Sequence, residues 1–433
     1  MAYLSRWIYT FLLSLASPWA NKRMAREKVD AFSERQRAGH ILPFEKPVIW
    51  AHCASVGEVL AAEPLLKALQ ERHFDKQLVV TTMTATGAAQ VQQRLPEAKH
   101  FLVPLDLPSN TQRFVQTLKP EVGIIFETEL WPNLIHSCHL AGVPLIIANG
   151  RLSPKAFIAY KKIRPLMADA LNKVALLAAK SAEDAERFIT LGFSAAKVEV
   201  TGSIKFDLQL PTDITEQLTT LKESLSWGER PVWIAASTHE GEDLPLLLAH
   251  QQLLTKQPHA LLILVPRHPQ RFDAVAELIA AQGLSLARRG AQQPVTASTQ
   301  VYLGDTMGEM LLLYALADLA FVAGSLEPIG GHNLLEPAAV GVPVITGPHL
   351  DNFSEVAELL RDAGALKEVQ QANELPALLQ HLWQSKSTCQ AMSQAGKRVV
   401  EANKGALRKQ LLLVESLLPE NASPKQQPES KPA

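Results

Sequence analysis

Short apolar runs alternate with longer mixed stretches along most of the chain. The runs Val48–Ala54, Leu78–Met83, Phe101–Leu105, Val122–Glu127, Leu145–Asn149, Leu176–Lys180 and Val198–Gly202 are predicted strands. Helices are predicted between them, for example over Glu58–Leu69 and Ala156–Leu171. Most of the runs are apolar at every position, as in strands buried on both faces, and the alternation predicts a parallel sheet covered by helices. The pattern lapses over 208–228, a polar stretch carrying Pro211 that is predicted to be a linker with a short helix. It restarts at Val232–Ser237, Ala260–Pro266, Ser285–Arg289, Val301–Asp305, Leu319–Ala323 and Pro343–Gly347. An echo links the two halves. Ser55-Val56-Gly57-Glu58 and Ser237-Thr238-His239-Glu240 each follow a strand, and each is followed by Pro-Leu-Leu. Two similar αβ domains are therefore expected, residues 22–207 and 229–418. Ligands in such sheets bind at the carboxyl ends of the strands, and the active site is expected in a cleft between the halves.

The two ends break this pattern. Residues 7–20, WIYTFLLSLASPWA, carry no charge. As a helix they reach roughly 21 Å, short of the roughly 30 Å hydrocarbon core. Arg6 precedes them, Lys22, Arg23, Arg26 and Lys28 follow, and Trp7, Tyr9 and Trp19 lie near the edges. The preferred reading of residues 1–21 is an uncleaved anchor lying in the cytoplasmic leaflet. A cleaved signal peptide, with Ser14-Leu15-Ala16 as its site, and a helix packed on its own domain are the alternatives. Residues 419–433 are polar and Pro-rich and are expected to be a disordered tail.

Composition narrows the function. Of 433 residues, 42 are Lys or Arg and 43 are Asp or Glu, a balance that argues against nucleic acid as a partner. The three cysteines, Cys53, Cys138 and Cys389, are far apart and form no CxxC. Neither a disulfide framework nor a structural zinc site is expected, and a reducing compartment fits.

The candidate chemistry sits where predicted strands end. Ser55 and Glu58 are spaced as a capping box, and Glu58 is alternatively a general base aimed at the ligand. Glu127 and Glu129 close a buried strand ahead of Trp131-Pro132, where an unpaired carboxylate is costly. Lys205, in Gly202-Ser203-Ile204-Lys205, is either an ordinary exposed lysine or a cation for phosphate or carboxylate. In the second half Arg267 closes a strand and suits an anion. Gly308 offers backbone N–H groups at a helix start. Gly330-Gly331 opens a predicted helix carrying Asn333 and Glu336 on one face. There is no G-x-G-x-x-G, no Walker A lysine and no Asp-x-Asp pair, so no metal or other cofactor is expected.

Taken together these segments resemble a known family. AGSLEPIGGHNLLEPAAVGVPVITGPH resembles the donor segment of two-domain GT-B glycosyltransferases. With ASVGE, TTMTATG, FETELWPNLI, ANGRLS, VTGSIKFD, STHEGE, LVPRHPQRF and GDTMGE, the chain resembles the 3-deoxy-D-manno-octulosonic acid (Kdo) transferases of lipopolysaccharide synthesis from about residue 4 to about 415. The resemblance implies a GT-B fold, two Rossmann-like domains with a membrane-associated N-terminal helix, on the cytoplasmic side of the inner membrane. It implies inverting transfer of Kdo from CMP-Kdo to a lipid A precursor. Glu58 would be the base, and Glu127 and Lys205 would assist the transition state. Pro266, Arg267, Met307, Gly308, Glu309, Asn333, Leu334, Leu335 and Glu336 would contact CMP. The residues alone leave open a GT-B transferase or epimerase using another sugar nucleotide, and a non-catalytic nucleotide-sugar-binding protein.

Overall fold

The computed structural model describes residues 2–24, 26–208, 211, 213–225 and 228–419. They form two compact units. Unit 1 comprises residues 1–207 and 404–433, and unit 2 comprises residues 208–403. Each predicted strand is present, with ends moved by a few residues.

Unit 1 holds β1 (Val48–His52), β2 (Gln77–Thr82), β3 (Lys99–Leu102), β4 (Pro120–Phe126), β5 (Leu145–Gly150), β6 (Leu176–Ala179) and β7 (Val198–Val200). They form one parallel sheet in the order β3-β2-β1-β4-β5-β6-β7. The order reverses between β1 and β4, and the crevice at that point is where such sheets take ligands. Trp50 on β1 is fully buried, and its indole N–H donates to Thr81 Oγ1 at 3.0 Å. Gly123 on the neighbouring β4 makes room for it, because a Cβ there would lie 2.9 Å from the Trp50 ring.

Unit 2 holds β8 (Val232–Thr238), β9 (Leu261–Pro266), β10 (Leu286–Arg288), β11 (Val301–Leu303), β12 (Leu319–Val322), β13 (Val344–Thr346) and β14 (Leu366–Glu368). Its parallel order is β10-β11-β9-β8-β12-β13-β14, with the switch between β8 and β12. Trp233 on β8 repeats the role of Trp50, donating to His250 Nδ1 at 3.1 Å.

Several expectations are corrected. The second domain does not run to residue 418. The helix Ala406–Glu415 belongs to unit 1, where Leu411 and Val414 share a core with Val59 and Leu66. Asp207 caps it, accepting from Gly405 N at 2.6 Å and Leu407 N at 2.7 Å. The stretch 208–228 carries the helix Ile214–Leu225, which packs on Met310–Leu316 within unit 2. The single helix expected over Ala156–Leu171 is two, Pro154–Lys162 and Arg164–Leu171. The break falls at Ile163, just before Pro165, which has no N–H to carry a helix through. Apart from Pro419, the expected tail lies outside the described residues.

The N-terminal helix spans Ala2–Met24. No described helix is long and apolar enough to cross a membrane. One face of this helix docks on unit 1. Tyr9 donates to Asp106 Oδ2 at 2.9 Å, and Asn133 Nδ2 donates to Thr10 Oγ1 at 3.0 Å. Leu4, Trp7, Ile8, Phe11, Leu12, Leu15 and Trp19 stand exposed.

Candidate active site

In unit 1 the chain leaves β1 through Cys53 and Ala54 and enters the helix Val56–Arg72 with Ser55 as its N-cap. Glu58 N donates to Ser55 Oγ at 3.4 Å, Ala54 N donates to Glu58 Oε2 at 2.8 Å, and Ser55 Oγ donates to Oε1 at 3.2 Å. Ser55 thus caps the helix, and the Glu58 carboxylate reaches back one residue past the cap, to the Ala54 N–H. That carboxylate also stands at the carboxyl end of β1, beside the switch point. Burial pushes the Glu58 carboxyl up to about 7, aided by Glu129 and Glu127 and opposed by Ala54 N–H and Ser55. One carboxylate therefore braces the helix start and stands at a strand end.

β4 delivers Glu127 to the other side of the crevice. Its φ is +57°, a left-handed conformation that a glutamate adopts at a cost and that clusters at functional sites. Next to it, Glu129 Oε2 accepts from Trp131 Nε1 at 3.0 Å and lies 3.9 Å from His52 Nε2. Burial works to raise the Glu129 carboxyl, but His52 and Trp131 outweigh it and hold it below the usual range. Cys53, fully buried beside Glu58 and Glu127, has its thiol pushed well up by burial first and then by those two carboxylates, which makes it inert.

Lys205 lies on the one-turn helix Ile204–Phe206 after β7, packed against the helix that bears Glu58. That turn is braced from a distance. Asn149, at the end of β5, accepts from Ile204 N at 3.3 Å. Gln410 of the C-terminal helix, fully buried, accepts from Asn149 N at 2.9 Å and donates to Thr201 Oγ1 at 3.0 Å. Gln410→Ala is expected to strand these groups and to destabilise unit 1 by roughly 1–3 kcal/mol. Urea unfolding reads this directly, and an unchanged midpoint would show that the brace is idle.

In unit 2 the predicted contacts also gather at carboxyl ends. Pro266 closes β9, and Arg267 N donates to Thr238 O at 3.0 Å with its side chain exposed. After β11, Met307 is exposed and Gly308 has φ +84°. Arg289 donates to both oxygens of Glu309, at 3.2 and 2.7 Å, and holds that carboxyl below the usual range. A concavity of about 830 Å³ borders Thr306, Met307, Glu309 and Arg289. A slightly larger one, about 880 Å³ around Arg230, Asp318 and Trp383, lies at the amino ends of β8 and β12, away from every predicted site residue.

The segment after β12 differs from expectation. The helix begins at Leu335, so Asn333 precedes it. Asn333 Oδ1 accepts from Leu335 N at 3.1 Å, and Asn333 Nδ2 donates to Glu336 Oε1 at 3.2 Å. A short side chain that satisfies the first helical N–H competes with continuing the helix backwards. Burial raises the Glu336 carboxyl, against Asn333 and Arg267. Leu334 and Leu335 are fully buried, and the Leu335 N–H is taken by Asn333.

The comparisons with known proteins agree with this layout. Residues 25–208 match the family model described as 3-Deoxy-D-manno-octulosonic-acid transferase (kdotransferase), and residues 236–399 match Glycosyl transferases group 1. Over 425 residues the chain is 39% identical to the 3-deoxy-D-manno-octulosonic acid transferase of Haemophilus influenzae, covering 96% of this chain and 99% of that one. The chain belongs to the Kdo transferase family. The corresponding transferase of Bordetella pertussis is 35% identical over 438 residues, covering 96% of this chain and all of its own. Among solved structures, Acinetobacter baumannii MurG is similar in fold, with a TM-score of 0.54 at 16% identity over 86% of this chain and 99% of that one.

The transferase thus brings Glu58 and Glu127 to one crevice in unit 1, with the Lys205 turn packed beside the Glu58 helix. In unit 2 it sets Arg267 near Glu336, while Glu309 faces Arg289. Sequence reasoning missed Gln410, Glu242 and the pairing of His239 with His332. STHEGE and GGHN contain the last three, but their partners are distant in the chain.

Proposed function

We propose that the transferase moves Kdo from CMP-Kdo to a sugar hydroxyl of the lipid A precursor lipid IVA, with inversion at the anomeric carbon. The observation that carries the reading is the Glu58 carboxylate, held at a strand end with its pKa near 7 in a chain of this family. A group so poised takes the acceptor proton as the new bond forms and is not a strong base in the resting state. Glu127 and Lys205 stabilise the transition state from the neighbouring strand ends. CMP is held by Pro266 and Arg267, by Met307, Gly308 and Glu309, and by Asn333 and Glu336 of the turn that Leu334 and Leu335 anchor in the core. Arg267 supplies positive charge for the phosphate and the sugar carboxylate, and the transfer needs no metal.

The same reading puts the protein on the cytoplasmic face of the inner membrane. The N-terminal helix supports this. Its docked face carries Tyr9 and Thr10, and seven large apolar side chains at helical spacing stand exposed, as in helices that lie in an interface.

A product assay tests the whole reading. With CMP-Kdo, lipid IVA and EDTA, the expected mass spectrum shows the acceptor with one or more Kdo units added. UDP-sugars in place of CMP-Kdo are expected to give none. Turnover only with a UDP-sugar would sink the donor assignment, and turnover only after adding Mg²⁺ would sink metal independence.

A further inference from the structure

At the switch point of unit 2, His239 follows β8 and His332 lies in the Gly330-Gly331-His332-Asn333 turn after β12. Their Nε2 atoms are 2.8 Å apart. The ring planes agree within 5° and the centroids are 5.0 Å apart, so the imidazoles meet head to head in one plane. At that spacing one Nε2 carries a proton and the other accepts it. The pair is built in. Gly324, at φ +69°, passes so close that a Cβ would lie 2.7 Å from His332 Cδ2, and His268 sets its ring edge against His239 at 5.2 Å.

Charges of both signs surround the pair. Arg267 and His268 face both rings, and Arg271, paired with Asp243, faces His239. Glu242 opposes them at His239, but its oxygens are occupied by backbone N–H groups. Burial is the largest influence on both rings. It lowers His239, and with His239, Arg267 and His268 it lowers His332 to about 4. The pair therefore stands as two neutral rings with one proton between their Nε2 atoms, and the carboxylates near it, Glu242 and Asp243, are taken by backbone N–H groups and by Arg271.

We propose that the His239–His332 pair recognises the anionic group of the donor nucleotide by taking up a second proton from solvent when the anion enters. Both nitrogens then carry hydrogen, the Nε2···Nε2 bond opens, and the freed N–H groups face the anion. This inference deepens the CMP-Kdo reading and rests on it. It adds two positioning residues, and it makes donor binding proton-linked. The ligand class is a cytidine nucleotide bearing a phosphate, and cytidine itself is not read by the pair.

Calorimetry of the full-length protein with CMP, in buffers of different ionisation enthalpy, tests this. Wild type is expected to take up protons on binding CMP and none on binding cytidine. By linkage the CMP association constant rises as pH falls, by up to about tenfold per pH unit after correction for the ionisation of CMP itself. His332→Asn and His239→Asn, each checked for fold by circular dichroism, are expected to bind CMP more weakly, with the uptake gone. CMP binding without proton uptake overturns this proposal and leaves the donor assignment standing. Uptake that persists in both variants also overturns it, and points to Glu336. Failure of wild type to bind CMP at all overturns both.

Discussion

Glu58→Gln is expected to lower turnover by roughly 10²–10⁴-fold while the protein stays folded. The amide oxygen can still accept the Ala54 N–H that now reaches Oε2 at 2.8 Å, so the helix start is kept and only the base is lost. In wild type, with CMP-Kdo saturating, kcat/KM for the acceptor should rise with pH and level off above about 7, where the raised carboxyl has ionised. That acid limb should vanish in Glu58→Gln. The stability sign runs the other way. A carboxyl whose folded pKa is raised contributes stability at low pH and loses it as pH climbs through about 7, so the site works at some cost to the fold. Ser55→Ala separates capping from catalysis. It removes the side chain that caps Glu58 N, should cost about 1 kcal/mol, and should spare most of the turnover. Glu58→Gln activity within a few-fold of wild type, or an acid limb that survives the substitution, would sink the base assignment.

What was legible in the sequence was local. Strands such as Ile146–Ala148 and Ile234–Ala236 are apolar throughout because both faces are covered, and that pattern needs no partner to be read. Ser55 and Glu58 were legible because a capping box closes within four residues. β14 was missed because only three residues form it, two of them charged. The brace on the Lys205 turn was not legible, since Gln410 reaches Asn149 across more than half the chain and looks locally like any polar helix residue. The histidine pair joins two different strand ends, and neither motif names the other. Asn333 misled because helical spacing to Glu336 exists on paper, whereas its side chain caps the helix from outside.

The internal echo marks two similar halves, but its two glutamates part company, and that leads to the other large effect. Glu240, in register with Glu58, is exposed and outside the helix Asp243–Leu254. The carboxylate that organises this end of unit 2 is Glu242, two residues on and fully buried. Its Oε2 accepts from His239 N at 3.0 Å and Gly324 N at 2.8 Å, and its Oε1 from Ser325 N and Leu326 N at 3.1 Å each. Four backbone donors on one buried carboxylate tie the loop after β8 to the loop after β12, so the charge is satisfied by dipoles. Glu242→Ala leaves all four without a partner and is expected to cost roughly 3–5 kcal/mol. For a unit of this size that lowers the melting temperature on the order of 10 °C. CMP binding should weaken with it, because His239 and the Gly324 turn lose their common anchor. Glu240→Ala should stay within about 0.5 kcal/mol of wild type. Thermal melts of the two variants, followed by circular dichroism, decide between echo and contact. If Glu240→Ala melts early and Glu242→Ala does not, the anchor lies where the repeat placed it and the four-donor cradle is not what holds these loops.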